Sequence, residues 1–434
     1  MGVNTYLGLV LFMTATSAAC TKTVNECNSD SDCKDLAYPF CDVNGAFGPS
    51  GGAKNVCTII PPECPIERCG CSPGATTCAG STLTVCNTDG KSTTATTCSL
   101  GCASSMERCQ SFTPLNGLGA ALLAAATKPP VTLPASVTID TTTGIVKDGS
   151  GAAVPFDSIV ITQTGAPDIR AYIAQSVDMS GVVVTGSKAV AFVATGDITL
   201  HGLVDISANS SAAGAGAMET GSCTGSVATT GGGGGNATDG GNGAVSKDIS
   251  GVIPGGAGGK AVMNYEPLFG GCRGGSSSAI GGAGGGALQM DSGTRITLDA
   301  SAMVDAGGGG AGGDAMGGGA GGTIIVESPV VAINGAVVAN GGAGGACGTT
   351  APDGTRTTSP AFGSSCGTNG ATHAGSGGTR TTPPTTGLTL TPVGDAGGGG
   401  SVGRLLVRTL DGSYSAGGAS LISAAVVTQQ LQLE

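Results

Sequence analysis

Residues 287–342 read ALQMDSGTRITLDASAMVDAGGGGAGGDAMGGGAGGTIIVESPVVAINGAVVANGG and contain the repeat from which the fold is predicted. They contain six apolar segments of three or four residues, separated by turn residues. A central run, 307–322, has Gly at eleven of its sixteen positions. Short segments rich in β-branched residues favour strands over helices. The stretch therefore predicts two successive sets of three β-strands joined by a glycine-rich excursion.

The same unit recurs along the chain. Segment 191–209, AFVATGDITLHGLVDISAN, aligns with 287–308 and 323–342, and a weaker copy begins at Arg404. Each unit holds three strands in roughly twenty residues, the usual rung size of a β-helix. The sequence predicts an all-β fold, a parallel β-helix or solenoid with long Gly-rich insertions, preceded by a small disulfide-rich domain.

Corner and core positions follow from the alignment. Asn, Asp and Gly tolerate the left-handed conformation of a tight corner, and the aligned corners are His201-Gly202, Asp299-Ala300 and Asn334-Gly335. Side chains at alternate positions of a strand share one face. The residues predicted to point inward and stack between rungs are Ile198, Leu200, Val204, Ile206, Ile296, Leu298, Ile325, Val331, Ile333 and Val337. The outward positions carry Thr, Asp, Glu and Ser.

Short strands are also predicted between 131 and 194, without any sustained helical periodicity, which excludes a βαβ fold. A sandwich and a solenoid both remain compatible with these strands, and the repeat favours the solenoid. The predicted strands are Ser136–Ile139, Gly144–Lys147, Ser158–Gln163, Asp168–Ile173, Val182–Val184 and Ala189–Ala194.

Composition excludes several protein classes. Charged residues make up 11% of the chain, Gly accounts for 82 of 434 residues and Trp is absent, which is typical neither of an ordinary enzyme nor of a disordered chain. The formal charge of −11 provides no basic face, so no nucleic-acid partner is predicted. No cofactor is predicted either.

The cysteines predict export. Thirteen of the 17 fall in 20–109 and four in 223–366, a density that favours disulfides in an oxidising compartment. The apolar run Tyr6–Met13 and the small residues after it predict a signal peptide over 1–19. Ser17-Ala-Ala-Cys20 resembles a bacterial lipobox, which implies lipidation of Cys20 and anchoring to the outer membrane at the cell surface. The alternative is an unpaired cysteine close to a cleavage site.

Residues 20–110 are predicted to form disulfide-rich modules, over 26–58 and 64–109. The second, with Cys71-Ser-Pro-Gly-Ala-Thr-Thr-Cys78 and Asn87-Thr-Asp-Gly90, resembles a Cys-rich module of exported proteins from Gram-negative soil bacteria, which implies a surface setting. That pattern implies a hairpin of Thr82–Cys86 and Thr93–Cys98. A zinc site is disfavoured because no His lies in this region. Segment 111–135 is predicted as a linker with a short helix, and 136–434 as the solenoid.

Three glycine-rich excursions, 208–286, 307–322 and 340–400, interrupt the solenoid. They are either flexible low-complexity loops or a sheaf of extended, polyproline II-like strands that pack closely because Gly lacks a side chain. The second interpretation resembles the glycine-rich regions of phage tail adhesins. Two predicted disulfide staples favour it, formed by four cysteines: Cys223 and Cys272 in one excursion, and Cys347 and Cys366 in another.

Motifs for catalysis or metal binding find little support. Gly309 to Met316 fits one copy of a calcium β-roll repeat, but tandem copies are needed. Ser365 lies in a GxSxG string without a strand–turn–helix setting, and Lys260 lies in an incomplete phosphate loop. His201 and His373 have no second ligand nearby in sequence, so no metal site is predicted.

One row of acidic residues is a weak candidate for a catalytic site. Asp205, Asp299 and Asp305 could share an edge of the solenoid, with Arg295 as the nearby basic residue, as a lyase or hydrolase on a β-helix would require. The favoured interpretation is that these are solvated corner acids. No catalytic residue is therefore predicted.

These observations predict a non-enzymatic structural or adhesive protein of the cell surface, presenting the solenoid on a disulfide-stapled stalk to glycans or other cells. The alternative is a β-helix carbohydrate-active enzyme.

Overall fold

A computed structural model describes residues 110–434, apart from 249–250, 277–280, 367–371, 390–395 and 419. Before 110 it describes residues 28, 32–33, 40–42, 56–58, 71, 74–88, 90, 92–98, 100–103 and 108–109. The predicted signal peptide and Cys20 lie outside these residues. Two compact units divide the chain, 1–109 and 110–434. The segment predicted as a linker, 111–135, therefore belongs to the second unit.

The first unit is built from short antiparallel strands and disulfides. Its strands are β1 (Phe40–Asp42), β2 (Val56–Thr58), β3 (Thr76–Ala79), β4 (Thr82–Cys86), β5 (Thr93–Thr97), β6 (Cys102–Ala103) and β7 (Arg108–Cys109). Strands β4 and β5 pair antiparallel, with Cys86 opposite Thr93, as the Cys-rich pattern implied. The disulfides described are Cys33–Cys57, Cys71–Cys86, Cys78–Cys102 and Cys98–Cys109. Together with those of the second unit they indicate an oxidising compartment.

The described part of the second unit is almost entirely β, with one helix, α1 (Gly119–Ala125). The strands before the first long excursion are β8 (Val131–Leu133), β9 (Val137–Asp140), β10 (Ile145–Lys147), β11 (Ser158–Ile161), β12 (Ile169–Ala174), β13 (Val177–Met179), β14 (Val182–Thr185), β15 (Ala189–Ala194), β16 (Ile198–Leu200) and β17 (Leu203–Asp205).

The remaining strands alternate with the excursions. They are β18 (Ser246–Asp248), β19 (Gly251–Ile253), β20 (Ala287–Ser292), β21 (Arg295–Leu298), β22 (Met303–Asp305), β23 (Thr323–Glu327), β24 (Val330–Ile333), β25 (Ala336–Val338), β26 (Ser365–Cys366), β27 (Thr372–His373), β28 (Leu388–Thr389), β29 (Arg404–Thr409), β30 (Ser415–Ala416), β31 (Leu421–Ile422) and β32 (Ala425–Gln430).

Three long sheets organise this unit, and the chain visits them in rotation. Sheet 1 has the order β11-β12-β15-β20-β23-β29-β32, sheet 2 the order β8-β13-β16-β21-β24-β30, and sheet 3 the order β10-β9-β14-β17-β22-β25-β31. All neighbours are parallel except two antiparallel pairs, β10 with β9 and β11 with β12. From β12 to β29, each strand of sheet 1 is followed by a strand of sheet 2 and then by a strand of sheet 3, and β32 closes sheet 1 at the end of the described chain.

The repeat predicted from sequence is reproduced in the pairing. Ile198 of β16 lies opposite Ile296 of β21, which lies opposite Val331 of β24. The predicted corners also stack, because the Asp299 N–H donates to the Leu200 carbonyl and the Asn334 N–H donates to the Leu298 carbonyl. The aligned units therefore occupy successive positions in the same sheets.

The principal core receives side chains from all three sheets. It includes Leu200 and Ile296 from sheet 2, Val204 from sheet 3, and Phe192 and Leu288 from sheet 1. Nearly every position predicted to point inward lies in this cluster. The exception is Ile325, which packs on the opposite face of sheet 1.

That opposite face of sheet 1 is buried as well. Ala189, Ala191 and Val193 lie in a second cluster with Leu118 and Ala121 of the helix segment. Strand β15 is consequently buried at all six positions, which explains its continuous apolar sequence. The helix covers a sheet face that would otherwise be exposed.

All three excursions leave the sheets at the same corner. Each follows a strand of sheet 3 and returns at the first residue of a strand of sheet 1, so their limits are 206–286, 306–322 and 339–403. Outgoing arms hydrogen-bond to one another, as the Ala208 N–H donates to the Gly307 carbonyl and the Gly308 N–H to the Asn340 carbonyl, both at 2.8 Å. The three excursions are therefore stacked side by side.

The glycine-rich segments of the excursions form one hydrogen-bonded body, here called the glycine sheaf. It comprises residues 231–235, 240–243, 255–259, 270–275, 281–286, 307–313, 317–322, 341–345, 375–378 and 397–403. Residues 317–319 lie at its centre, where their N–H groups donate to three separate segments and their carbonyls accept from three others. The acceptors are Gly275, Gly398 and Gly309, and the donors are Gly282, Gly234 and Gly342, at 2.8 to 3.0 Å.

The hydrogen bonds of segment 341–345 repeat every three residues. Residues 341 and 344 both donate to segment 375–378, residues 342 and 345 both donate to segment 316–319, and residue 343 donates to Pro352. A period of three, with every bond made to another segment, is that of the polyproline II helix. Successive N–H groups then point about 120° apart, so one segment can bond several neighbours.

Packing within the sheaf requires glycine. A Cβ atom added at Gly318 would lie 2.2 Å from the Gly342 carbonyl oxygen, and one added at Gly319 would lie 1.9 Å from that of Ala283. The obstacle in each case is backbone, which cannot rotate away. Two disulfides, Cys223–Cys272 and Cys347–Cys366, close loops within the first and third excursions.

Candidate functional site

A polar cleft of the described second unit lies where sheet 3 meets the excursions. Its volume is about 470 Å³. One wall is the outer side of β14, including Val183 and Thr185, and the floor carries Asp205 and Asp305. Excursion residues, among them Asp353, complete the lining. The cleft therefore combines an apolar wall with a group of charged side chains.

The register of sheet 3 places the carboxylates of Asp205 and Asp305 side by side. Asp205 of β17 and Asp305 of β22 are direct partners in the parallel ladder. Each uses one oxygen to cap its own turn: Asp205 Oδ1 accepts from the Ser207 N–H at 2.9 Å, and Asp305 Oδ1 accepts from the Gly307 N–H at 2.9 Å. Their second oxygens are directed to a common partner.

That partner is Arg356, from the third excursion. Its Nε donates to Asp305 Oδ2 at 2.6 Å, and its second terminal nitrogen donates to Asp205 Oδ2 at 2.7 Å. Burial raises the pKa of Asp305 above its usual value, although Arg356 and the Gly307 N–H act in the opposite direction. For Arg356 burial lowers the pKa, but the two carboxylates outweigh it, so the pKa of the guanidinium is raised.

Asp353 supplies a third carboxylate and joins two excursions. Its Oδ1 accepts from the Ser210 N–H at 2.8 Å and from the Gly310 N–H at 2.7 Å. Among the described residues, its Oδ2 has no hydrogen-bond partner. Asn340 steadies the same loop by donating from Nδ2 to the Thr355 carbonyl at 2.7 Å. Each of the three carboxylates in the lining is thus held by at least one backbone N–H group.

The structure revises the row of acids predicted from sequence. Asp205 and Asp305 share an edge, but Asp299 lies at a corner of sheet 2 and takes no part in the cleft. Asp305 is not a solvated acid, because only 2% of its surface is exposed. The basic partner is Arg356 rather than Arg295, which lies on β21 of sheet 2. Sequence spacing gave no signal for Arg356, since it follows Asp305 by 51 residues.

His201 has two carboxylate neighbours instead of standing alone. Its Nδ1 lies 2.5 Å from Asp299 Oδ2, and its Nε2 lies 3.4 Å from Asp178 Oδ2. Asp178 lies on β13, and His201 and Asp299 directly follow β16 and β21, so the imidazole bridges successive strands of sheet 2. The hydrogen bond to Asp299 raises the pKa of His201, and the negative charge of Asp178 adds to the effect. Both ring nitrogens are engaged, which favours a structural role.

This geometry predicts a pH dependence of stability. A raised histidine pKa means that the folded protein binds the proton more tightly than the unfolded chain. The stabilisation should be fully present below the unfolded histidine pKa of about 6.5 and should be lost as pH rises through the higher folded value. We expect thermal unfolding of wild type and His201→Asn to differ more at pH 5.5 than at pH 8.5. A pH-independent difference would contradict the bridge.

A buried polar network lies on the outer side of sheet 1. Glu327 of β23 lies in register between Asp291 of β20 and Arg408 of β29, and the Arg408 guanidinium pairs with the Glu327 carboxylate. Gln289 Nε2 donates to Glu327 Oε2 at 2.7 Å. Burial raises the pKa of Asp291 well above its usual value, and the charge of Glu327 raises it further. Burial also raises the pKa of Glu327, although the positive charge of Arg408 acts in the opposite direction.

The network fastens the segment that precedes helix α1. The Leu115 N–H donates to Glu327 Oε2 at 2.9 Å, and Asn116 Nδ2 donates to Gln289 Oε1 at 2.9 Å. Asn116 also donates its N–H to Glu266 at 2.9 Å. Glu327 acts as an anchor, because its fully buried carboxylate is enclosed between the sheet and the segment that it holds.

The remaining sequence motifs do not assemble into sites among the described residues. Ser365 lies opposite His373 in a short antiparallel pair, but no hydrogen bond joins their side chains. Lys260 pairs with Asp239 at 2.9 Å. Asp314, in the single calcium-roll match, accepts from the Gly348 N–H.

No helix of the described residues is long and apolar enough to cross a membrane. Comparison of the chain with protein-family models, curated protein sequences and solved structures gave no match.

Proposed function

We propose that the protein is a non-enzymatic structural or adhesive protein of the cell surface. In this proposal the three sheets form a parallel β-solenoid, with one strand of each sheet per turn and a common core between them. The glycine sheaf projects from one corner of it. The Cys-rich unit would serve as the stalk, and lipidated Cys20 as the anchor in the outer membrane.

The observation that carries the proposal is the hydrogen bonding of residues 317–319 to six other segments. Ordering glycine has the highest backbone entropy cost of any residue. A chain that orders about ten glycine-rich segments outside its apolar core gains a rigid, largely uncharged body rather than a catalytic pocket. Such a body suits the presentation of loops to another surface, where rigidity lowers the entropic cost of attachment.

A retention assay tests adhesion directly. Labelled mature protein should be retained on at least one member of a panel of whole bacterial cells, peptidoglycan, cellulose and chitin. Gly318→Ala, which disrupts the sheaf, should lose this retention, whereas Gly313→Ala should keep it because a Cβ there meets only the Met316 Cε atom, at 3.9 Å. Absence of retention on every surface would refute the proposal.

A carbohydrate-active enzyme is the second candidate, and the cleft favours it. Asp305, with its raised pKa, could act as a general acid beside the Asp205 carboxylate. The ion pair to Arg356 opposes this role, because the guanidinium lowers the pKa of Asp305 and so favours its ionised form. Release of reducing sugars from soluble polysaccharides, abolished by Asp305→Asn, would establish the enzyme and displace the adhesive proposal.

A further inference from the structure

We propose that the cleft lined by Asp205, Asp305, Asp353 and Arg356 binds a carbohydrate that carries hydroxyl or amino groups and no acidic group. The inference rests on the proposed adhesive function, since it names the ligand class and the place where that ligand binds. The volume of the cleft, about 470 Å³, lies within the range of small-molecule sites.

The charges of the lining exclude acidic ligands. Three carboxylates face one guanidinium in the cleft, and Arg356 is already engaged with two of them. A uronic acid or sulfated sugar would meet uncompensated negative charge at Asp353. The lining instead offers acceptor oxygens, which match the hydroxyl and amino donors of neutral and amino sugars.

The acceptors are held in place by the fold. Asp353 Oδ1 is fixed by two backbone N–H groups, from Ser210 and Gly310, which leaves Oδ2 for a ligand. Ser210 belongs to the first excursion and Gly310 to the glycine sheaf, so contacts between the excursions position this carboxylate. Acceptors that do not reorganise when the sugar binds lower the entropic cost of binding.

Besides hydrogen-bond acceptors, a sugar site needs an apolar surface for the ring, and the apolar wall of the cleft supplies it. Val183 lies beside Asp205 in the sheet register and is 44% exposed, although it is a large apolar residue. Ala212 and Ala213 are exposed at the same cleft. A pyranose ring has C–H groups on its faces and hydroxyl groups around its edge, so it can cover Val183 while donating to the carboxylates.

Titration calorimetry with soluble oligosaccharides tests the inference. The probes are tetramers of glucose, N-acetylglucosamine, glucosamine and galacturonate. We expect binding of at least one of the first three and none of tetragalacturonate. Failure of all three, or binding of tetragalacturonate alone, would overturn the assignment.

Two variants locate the binding. Asp353→Asn retains an oxygen for both backbone hydrogen bonds but loses the charged acceptor, and should weaken affinity about tenfold or more. Ala213→Trp fills the cleft without changing its charge and should abolish binding. The matched control is Asp314→Asn, which alters an excursion aspartate outside the cleft and should leave affinity unchanged. Wild-type affinity in both cleft variants would overturn the inference.

These results separate the inference from the adhesive function. Retention on cells or polymers that persists in Ala213→Trp would refute the cleft as the attachment site and leave adhesion standing. Oligosaccharide binding without retention on any surface would refute the adhesive function and leave the cleft standing as a sugar-binding site.

Discussion

Replacement of Gly318 by alanine is expected to destabilise the second unit by about 3 kcal/mol or more, at or above the upper end for overpacking of a protein interior. The new Cβ would lie 2.2 Å from the Gly342 carbonyl oxygen. Relief requires the two segments to separate, which also breaks the hydrogen bond from the Gly342 N–H to the Gly319 carbonyl. Chemical denaturation followed by circular dichroism measures the loss.

Gly313→Ala is the matched control, because it lies in the same excursion and its added Cβ would meet only the Met316 Cε atom, at 3.9 Å. The alanine reduces the entropy of the unfolded chain, so stability should stay the same or rise by about 0.4–1 kcal/mol. Equal behaviour of the two variants would mean that the excursions are flexible loops rather than a packed sheaf.

Replacement of Glu327 by alanine is expected to cost about 3–5 kcal/mol, the usual effect of breaking a buried ion pair. The variant leaves the Arg408 guanidinium buried without a carboxylate. It also removes the acceptor of the Leu115 N–H, so the segment before helix α1 should loosen. Denaturation midpoints measure the stability, and proteolysis within 110–128 should accelerate.

Two controls distinguish burial from charge. Glu219 pairs with Arg273, but its side chain is 45% exposed, so Glu219→Ala should cost at most about 1 kcal/mol. The double variant Glu327→Met/Arg408→Met should recover much of the loss, because it removes both charges together. A loss in Glu327→Ala no larger than that in Glu219→Ala would contradict the network.

Much of the fold could be predicted because the repeated strands of the parallel sheets follow simple rules. Strand β15 was predicted with the same limits that the structure gives, Ala189–Ala194, and the three aligned units pair in register. In a strand buried on one side, apolar and polar residues alternate, so a period of two residues identifies both the strand and its buried face. Ile325 was assigned to the wrong face because sheet 1 is buried on both sides, and alternation then carries no information on direction.

The cleft could be predicted only in part. Asp205 and Asp305 occupy equivalent positions of two repeats, and the alignment brings them together. Arg356 and Asp353 come from an excursion whose path depends on backbone hydrogen bonds between glycines, which have no side-chain pattern. The same limitation applies to Glu327, since a charged residue at an outward position predicts exposure unless the covering segment is known.

Hydrogen–deuterium exchange shows whether the glycine-rich segments are packed against one another as a sheaf. Peptides from 317–322 and 397–403 should be protected as strongly as peptides from strands β20 and β23, because nearly all of their N–H groups are buried and donate to neighbouring segments. Exchange of these peptides at the rate of an unstructured chain, beside protected β20 and β23, would contradict the glycine sheaf and the adhesive function proposed from it.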